Sequence, residues 1–180
     1  MCSIKERQPV LQQQSLERNA RRNPPSNSAS QTKVDSSLSV ICWNCQGLAN
    51  SVPYIQSLIE NKPSILVVSE HWLWPYELDK LSNISEDYEA TGKADSRLTE
   101  VSEGSRGCSG IGIIWHKSIG AVLVCDISSD RICAIRFSTN NDKNSTISVI
   151  GVYLPCSDQG SECYRQHLVE LERIVHYLVL

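Results

Sequence analysis

Three runs in this 180-residue chain each close an apolar, strand-like stretch on a polar side chain that can handle charge. Ile41-Cys42-Trp43-Asn44-Cys45-Gln46-Gly47-Leu48 delivers the amide of Asn44. Val67-Val68-Ser69-Glu70-His71-Trp72-Leu73 delivers the carboxylate of Glu70, and Val149-Ile150-Gly151-Val152-Tyr153-Leu154-Pro155 delivers the phenol of Tyr153. Strand ends are where α/β scaffolds present their chemistry. A carboxylate leaving a strand is the oxygen donor that hard cations take, and an amide and a phenol beside it can hydrogen-bond a phosphate. Taken singly, each residue has a plainer explanation. A glutamate at a strand end is ordinarily a solvated charge, and an asparagine there ordinarily makes a turn or bonds the local backbone. Order and flanks give the set its weight.

The elements that must position these residues can be traced from periodicity. Ser39 to Trp43 reads as a short buried strand. Ser51 is placed to cap a helix with Pro53 in its first turn, and Val52, Ile55, Leu58 and Ile59 share one face. Asn61-Lys62-Pro63 stops that helix, and Ile65 to Val68 is a second β-branched strand, so the segment has a βαβ-like pattern. Trp74 to Gly107 is loop-rich, with a helical turn around Tyr76 to Leu81 and a strand near Tyr88 to Thr91. Strands then follow at Gly110 to His116, Ala121 to Asp126, Arg131 to Phe137 and Thr146 to Tyr153. The short links Lys117-Ser118-Ile119-Gly120 and Ser128-Ser129-Asp130 suggest antiparallel hairpins. Within Arg131 to Phe137, Cys133, Ile135 and Phe137 alternate against Ile132, Ala134 and Arg136. A last helix runs from about Glu162, with Tyr164, Leu168, Leu171, Val175 and Leu178 on one face.

Composition bounds the reading. Residues 1–37 hold six Lys/Arg against three Asp/Glu, while residues 38–180 hold 11 against 17. The body is acidic, unlike most surfaces that bind nucleic acid through broad electrostatics. Residues 1–37 are rich in Gln, Ser, Asn and Arg and bury too little to offset their ordering entropy, which predicts a disordered polar, basic tail ahead of a single domain over 38–180. Arg18, Arg21 and Arg22 in that tail could touch nucleic acid, although solvated charge is the simpler reading. No signal peptide and no membrane-spanning run is visible, so an intracellular protein, nuclear or cytoplasmic, with reduced thiols is expected. The sequons Asn83-Ile84-Ser85 and Asn144-Ser145-Thr146 carry no meaning in such a compartment. Cys42-x-x-Cys45 has redox or half-zinc spacing but no second Cys/His pair, which favours packing cysteines. Trp72 and Trp74 could stack on bases or cover the sheet edge; His116 suits a strand-end hydrogen bond, and His167 and His176 suit the surface of the last helix.

Four blocks in order, Trp43 to Leu48, Ser69 to Leu73, Gly107 to Ile114 and Gly151 to Pro155, resemble the endonuclease/exonuclease/phosphatase superfamily, whose fold is DNase I-like. The runs Trp43-Asn44-Cys45-Gln46-Gly47-Leu48, Ser69-Glu70-His71-Trp72-Leu73 and Ser129 to Phe137 are most similar to the endonuclease domain of LINE-type non-LTR retrotransposons. The resemblance spans residues 38–180. It implies an α/β fold, half of a four-layered α/β sandwich with mixed β-sheets, and a hydrolase that uses magnesium on DNA. By the same resemblance Glu70 ligates Mg2+, Asn44 binds near the scissile phosphate and the metal, and Tyr153 contacts the phosphate as charge develops. The glycines Gly110 and Gly112 start a central strand.

Two later blocks of the superfamily have no counterpart in these residues: a Gly-Asp-Phe-Asn type motif, whose aspartate activates water, and a Ser-Asp-His type motif. Asp158, Glu162, Glu170 and Glu172 do not replace them. The resemblance therefore implies a partly uncovered inner sheet face, poor folding in isolation, and loss of most activity. Tyr177-Leu178-Val179-Leu180 resembles the lead-in to the aspartate motif, so a Gly-Asp-x-Asn run in frame after Leu180 would mark an ordinary nuclease domain and a stop codon a degenerate fragment. Two alternatives stay open: a phosphatase or sphingomyelinase type of the same superfamily, and a non-catalytic nucleic-acid-binding remnant.

Overall fold

The computed structural model describes residues 38–96, 107–123, 127–139, 142–155 and 161–179. The expected tail over 1–37, with Arg18, Arg21 and Arg22, lies outside the described residues, as do Cys125, Cys156, Asp158, Leu180 and the last three residues of the expected strand Ala121 to Asp126. All the described residues belong to one compact unit, Ser36–Leu180.

The first strand, β1 (Val40–Asn44), leads through a tight turn into helix α1 (Leu48–Glu60) and returns as β2 (Ile65–Ser69). β1 and β2 are parallel, so the βαβ reading holds. The helix begins three residues before the expected cap. Gly47 stands at the N-cap, and Ser51, one turn in, is buried and donates its hydroxyl back to the Cys45 carbonyl. Because the helix starts at Leu48, Pro53 lies inside it and not in its first turn as expected, and having no N–H it leaves the Ala49 carbonyl without its helical partner. Asn61 ends the helix, and Lys62 turns the chain with φ +51°.

A 3₁₀ helix over Pro75–Ile84 precedes β3 (Tyr88–Lys93) and β4 (Ile111–His116). These complete a mixed four-stranded sheet in the order β1-β2-β4-β3, with β4 antiparallel to both neighbours. The second sheet is β5 (Val122–Leu123), β6 (Ile132–Thr139) and β7 (Asp142–Val152), antiparallel throughout. The link at Ser128 to Asp130 does join an antiparallel pair, β5 and β6. The link Lys117 to Gly120 does not: β4 and β5 lie in different sheets, and Gly120, in the left-handed region at φ 61°, carries the chain from one sheet to the other.

Alternation along the strands sorts side chains into layers. Leu66, Val68 and Ile114 face α1 and the 3₁₀ helix, packing with Leu48, Ile55, Leu81 and Tyr88. Ile65, Ile111, Ile113 and Trp115 face the other way, onto Cys133, Ile135 and Phe137 of β6, and join the two sheets. Ile132 and Ala134, the other parity of β6, pack with Ile174 of helix α2 (Ser161–Val179). The order is helix, sheet, sheet, helix, so all four layers are represented, whereas half of such a sandwich was expected; the second sheet has only three strands among the described residues. The face of α2 differs from expectation. Leu171, Ile174 and Leu178 meet the sheet, whereas Tyr164, Leu168 and Val175 stand exposed. Leu171, Ile174 and Leu178 follow the 3.6-residue helical repeat and form the stripe that meets Ile132, Ala134, Ile150 and Val152. No helix among the described residues is long and apolar enough to cross a membrane.

One strip of the inner face stays open. β6 lies over β3 and β4, and β7 over β2 and β4. β1, at the edge beyond them, shares the inner face through Val40 and Cys42, which register beside Ile65 and Val67. Val40 is 46% exposed and Cys42 is exposed as well. An uncovered apolar strip on an edge strand invites association with other chains. Ile135→Ala, in the closed part of the inter-sheet core, is expected to cost about 2–5 kcal/mol in urea denaturation. Val40→Lys on the open strip is expected to leave stability within about 0.5 kcal/mol and to lower self-association in sedimentation velocity.

Candidate active site

Asn44 is the last residue of β1, while Glu70 and Tyr153 each follow directly on their strands, β2 and β7. The parallel pairing of β1 and β2 sets Asn44 opposite Ser69, so Glu70 emerges beside it. The fold brings all three side chains together at one end of the sandwich. Glu70 Oε1 accepts from Asn44 Nδ2 at 2.8 Å and from the Tyr153 hydroxyl at 3.2 Å. Asn44 Oδ1 is turned away, accepting from the backbone N–H of Gln46 at 3.2 Å. In this orientation Asn44 holds Glu70, and supplying an oxygen to a metal would require its amide to turn over.

The backbone that presents Glu70 is locked. Glu70 and Trp72 both sit in the left-handed region, at φ 56°, which costs on the order of 1–3 kcal/mol for residues other than glycine. Bonds on both sides hold them there. Glu70 N–H donates to Gly110 O at 2.8 Å and Trp72 N–H to Ser109 O at 3.1 Å; from the other side Gly47 N–H reaches Glu70 O at 2.8 Å and Leu48 N–H reaches His71 O at 2.9 Å. Between the two strained residues His71 points inward and is almost fully buried, 1% exposed. Its Nδ1 accepts from Leu73 N–H at 3.0 Å, so Nε2 carries the proton and donates to Lys93 O at 3.0 Å. Gly110, at φ 102°, is required: a Cβ there would lie 2.3 Å from His71 Cε1. Gly47, at φ 101°, is packed just as closely by Trp72, whose Cε3 would be 2.7 Å from a Cβ.

A third group braces Tyr153. Arg131 is buried, 8% exposed, and its guanidinium carbon lies 5.5 Å from the centre of the Tyr153 ring, within the range of cation–π attraction. Its Nη1 donates to Tyr153 O at 3.4 Å, and Tyr153 N–H donates to Arg131 O at 2.9 Å. Neither His71 nor Arg131 stands out by residue type. Both sit inside runs already singled out, Ser69 to Leu73 and Ser129 to Phe137, and their adjacency to Glu70 and to the β6 start was the available signal.

Of the remaining candidates, Cys45 and Trp74 are packed, whereas Cys42, expected to pack, is exposed. Cys42 and Cys45 are free; burial pushes the Cys45 thiol up to about 11, and its Sγ donates to Ser69 O. Trp74 is buried and stacks on Tyr76, whereas Trp72 is only half-buried. His116 Nδ1 accepts from Ser118 N–H at 3.2 Å, a local turn contact. His167 is half-buried and His176 exposed on α2.

Among the described residues no three His, Cys, Asp or Glu side chains cluster as a metal cage. The donor set still suits a magnesium ion, which is commonly held by one or two carboxylates and completes its shell with water and substrate phosphate. Glu70 would be the carboxylate able to hold such an ion.

No family model and no curated protein matches the chain. Solved structures do. The chain is similar to the AP endonuclease LMAP from Leishmania major, at 18% identity and TM-score 0.52, over 65% of this chain and 40% of that one. It is similar to an AP endonuclease from Archaeoglobus fulgidus, at 24% identity and TM-score 0.50, over 79% and 51%. A humanized D. rerio TDP2 matches at 18% identity and TM-score 0.52, over 78% and 58%. The chain spans about half the length of these structures, and its fold is DNase I-like.

Burial holds the pKa of His71 below its ordinary 6.5. Above pH 6.5 the ring is neutral folded or unfolded, and the fold keeps its full stability. As pH falls below 6.5 the unfolded chain binds a proton that the folded chain refuses, so stability drops by up to about 1.4 kcal/mol per pH unit until the depressed folded pKa is reached. Urea midpoints should fall between pH 7 and 5.5 in the wild type, and this slope should shrink in His71→Gln. An unchanged slope in the variant would remove His71 as its source.

Proposed function

We propose that the chain is part of a magnesium-dependent phosphodiesterase domain acting on DNA, of the type found in LINE-type retrotransposon endonucleases, and that these 180 residues alone turn DNA over slowly or not at all. The observation that carries this reading is the convergence on Glu70 Oε1 of two donors from strands far apart in sequence, Asn44 and Tyr153. A surface glutamate needs no such support. A carboxylate that must keep one oxygen aimed at a cation does, because second partners fix the orientation of a metal ligand. The LINE branch is supported by the sequence runs around Asn44, Glu70 and Arg131, and DNA as substrate by the fold shared with the two AP endonucleases.

In this reading Glu70 is the metal ligand, and bound magnesium supplies positive charge to the phosphate oxygens. Asn44 Nδ2 and the Tyr153 hydroxyl fill the sites on Oε1, leaving Oε2 as the outward donor. When a phosphate enters, the Tyr153 hydroxyl can swing from Glu70 to a phosphate oxygen and donate there as charge builds. Arg131, stacked on the ring and bonded to its carbonyl, limits how far Tyr153 can move. The superfamily's Gly-Asp-Phe-Asn and Ser-Asp-His type motifs, which the resemblance ties to water activation and phosphate contact, have no counterpart in this sequence. Catalytic groups that act as a unit lose most of their effect when one is missing.

The test has two readouts. Manganese binding by the full chain, followed by electron paramagnetic resonance, should be weak and should disappear in Glu70→Gln while surviving in Tyr153→Phe. Magnesium-dependent nicking of supercoiled plasmid should stay several powers of ten below that of an intact nuclease of this fold, on the order of 10³-fold or more. Manganese binding that is indifferent to Glu70→Gln would end the metal assignment, and strong nicking would end the claim of low turnover.

A further inference from the structure

On the far side of the Glu70 loop lies a cavity of about 470 Å³ that the phosphoester reading does not use. Its walls are the half-buried Trp72 indole, Leu48, Val52 and Leu73, with Glu77 and Lys80 at the polar side. The three consecutive residues of the loop part company: Glu70 turns to Asn44 and Tyr153, His71 turns into the core, and Trp72 turns to α1. The indole is held in place by the left-handed backbone of Trp72, whose main-chain N–H bonds Ser109 O, and by the bare face of Gly47. A rigid aromatic wall two residues from a phosphate-handling carboxylate is an unusual use of a large apolar side chain, because Trp72 could have been buried as Trp74 is.

We propose that this cavity receives a nucleobase of the DNA strand whose phosphate lies at Glu70, stacked on the Trp72 indole. The proposal rests on the phosphodiesterase reading for the placement of that phosphate and adds a subsite to it. Size and chemistry fit. The volume lies within the range of small-ligand pockets, the lining is mostly apolar, and every base offers a π face, so stacking on tryptophan needs no particular sequence. Lys80 pairs with Glu77 through one of its ammonium hydrogens and sits 55% exposed, which leaves donors for a neighbouring phosphate. The Lys80–Glu77 pair also makes the rim neutral, so attraction is local to one phosphate and does not extend over the surface.

A single-stranded oligodeoxynucleotide carrying one 2-aminopurine reports on the site, because that base loses fluorescence when it stacks. The full chain should quench it saturably, and Glu70→Gln should quench it as well. Trp72→Ala should weaken the apparent affinity roughly ten-fold, the scale of one base–aromatic stack. Since Trp72→Ala also removes packing on Gly47, a second variant fills the cavity from outside: Ala49→Phe, at an exposed α1 position that lines it, should block quenching with the circular dichroism unchanged. Quenching that persists in Ala49→Phe, or no quenching by the wild-type chain, overturns the proposal. Failure of the phosphodiesterase reading would look different, as manganese binding indifferent to Glu70, with the quenching experiment untouched.

Discussion

The constraint on which the rest depends is the short backbone passage from Ser69 to Leu73. β2 is the one strand of its sheet that pairs with a parallel neighbour on one side and an antiparallel neighbour on the other. Where it ends, the chain must satisfy partners on both flanks, and it does so through Glu70 and His71 carbonyls toward the β1–α1 turn and Glu70 and Trp72 N–H groups toward the segment before β4. Two residues pay for this with left-handed backbone. Strain of this kind persists only where neighbours over-determine it, and here three separate stretches of sequence do so. His71 is the wedge that joins them: both ring nitrogens are engaged, and Gly110 has no side chain because the ring occupies that space.

That lock explains why a carboxylate on a loop can be as well aimed as one on a strand. Catalytic groups need placement within fractions of an ångström, and a free loop would not provide it. Glu70 inherits its position from the β1–β2 register, from the Gly110 backbone and from the Tyr153 hydroxyl arriving from the second sheet. Because Tyr153 is tied to Arg131 through backbone and side chain, the site also senses the packing of sheet on sheet. The site is thus a property of the sandwich, and weakening the inter-sheet core at Cys133, Ile135 or Phe137 would reach it through β6 and β7.

Much of this was legible in the sequence because the signals were local. Period-two alternation in Arg131 to Phe137 assigns Cys133, Ile135 and Phe137 to one layer and Ile132 and Ala134 to the other, as found. The βαβ unit and the convergence of Asn44, Glu70 and Tyr153 followed from strand ends and their order. What was not legible depended on tertiary partners. The link Lys117 to Gly120 has the length of a hairpin but crosses between sheets, and nothing local distinguishes the two. Ser51 has the chemistry of a cap, yet Gly47 begins the helix earlier because the β1–α1 turn must bond Glu70 and His71. On α2, two apolar stripes are available, and contact with Ile132, Ala134, Ile150 and Val152 of the second sheet picks out Leu171, Ile174 and Leu178. His71 and Arg131 went unassigned for the same reason, since a buried histidine or arginine acquires its meaning from what surrounds it.

The open strip on β1 and the candidate site are two aspects of one geometry. Val40, Cys42 and Asn44 alternate onto the same face of β1, so the strand that leaves apolar side chains uncovered is also the strand that delivers the amide to Glu70. Asn44 is exposed and Glu70 and Tyr153 are half-buried, so charges at this end of the sandwich interact through a solvated, high-dielectric surrounding. One face of β1 thus carries both the exposed apolar side chains and the amide that holds Glu70.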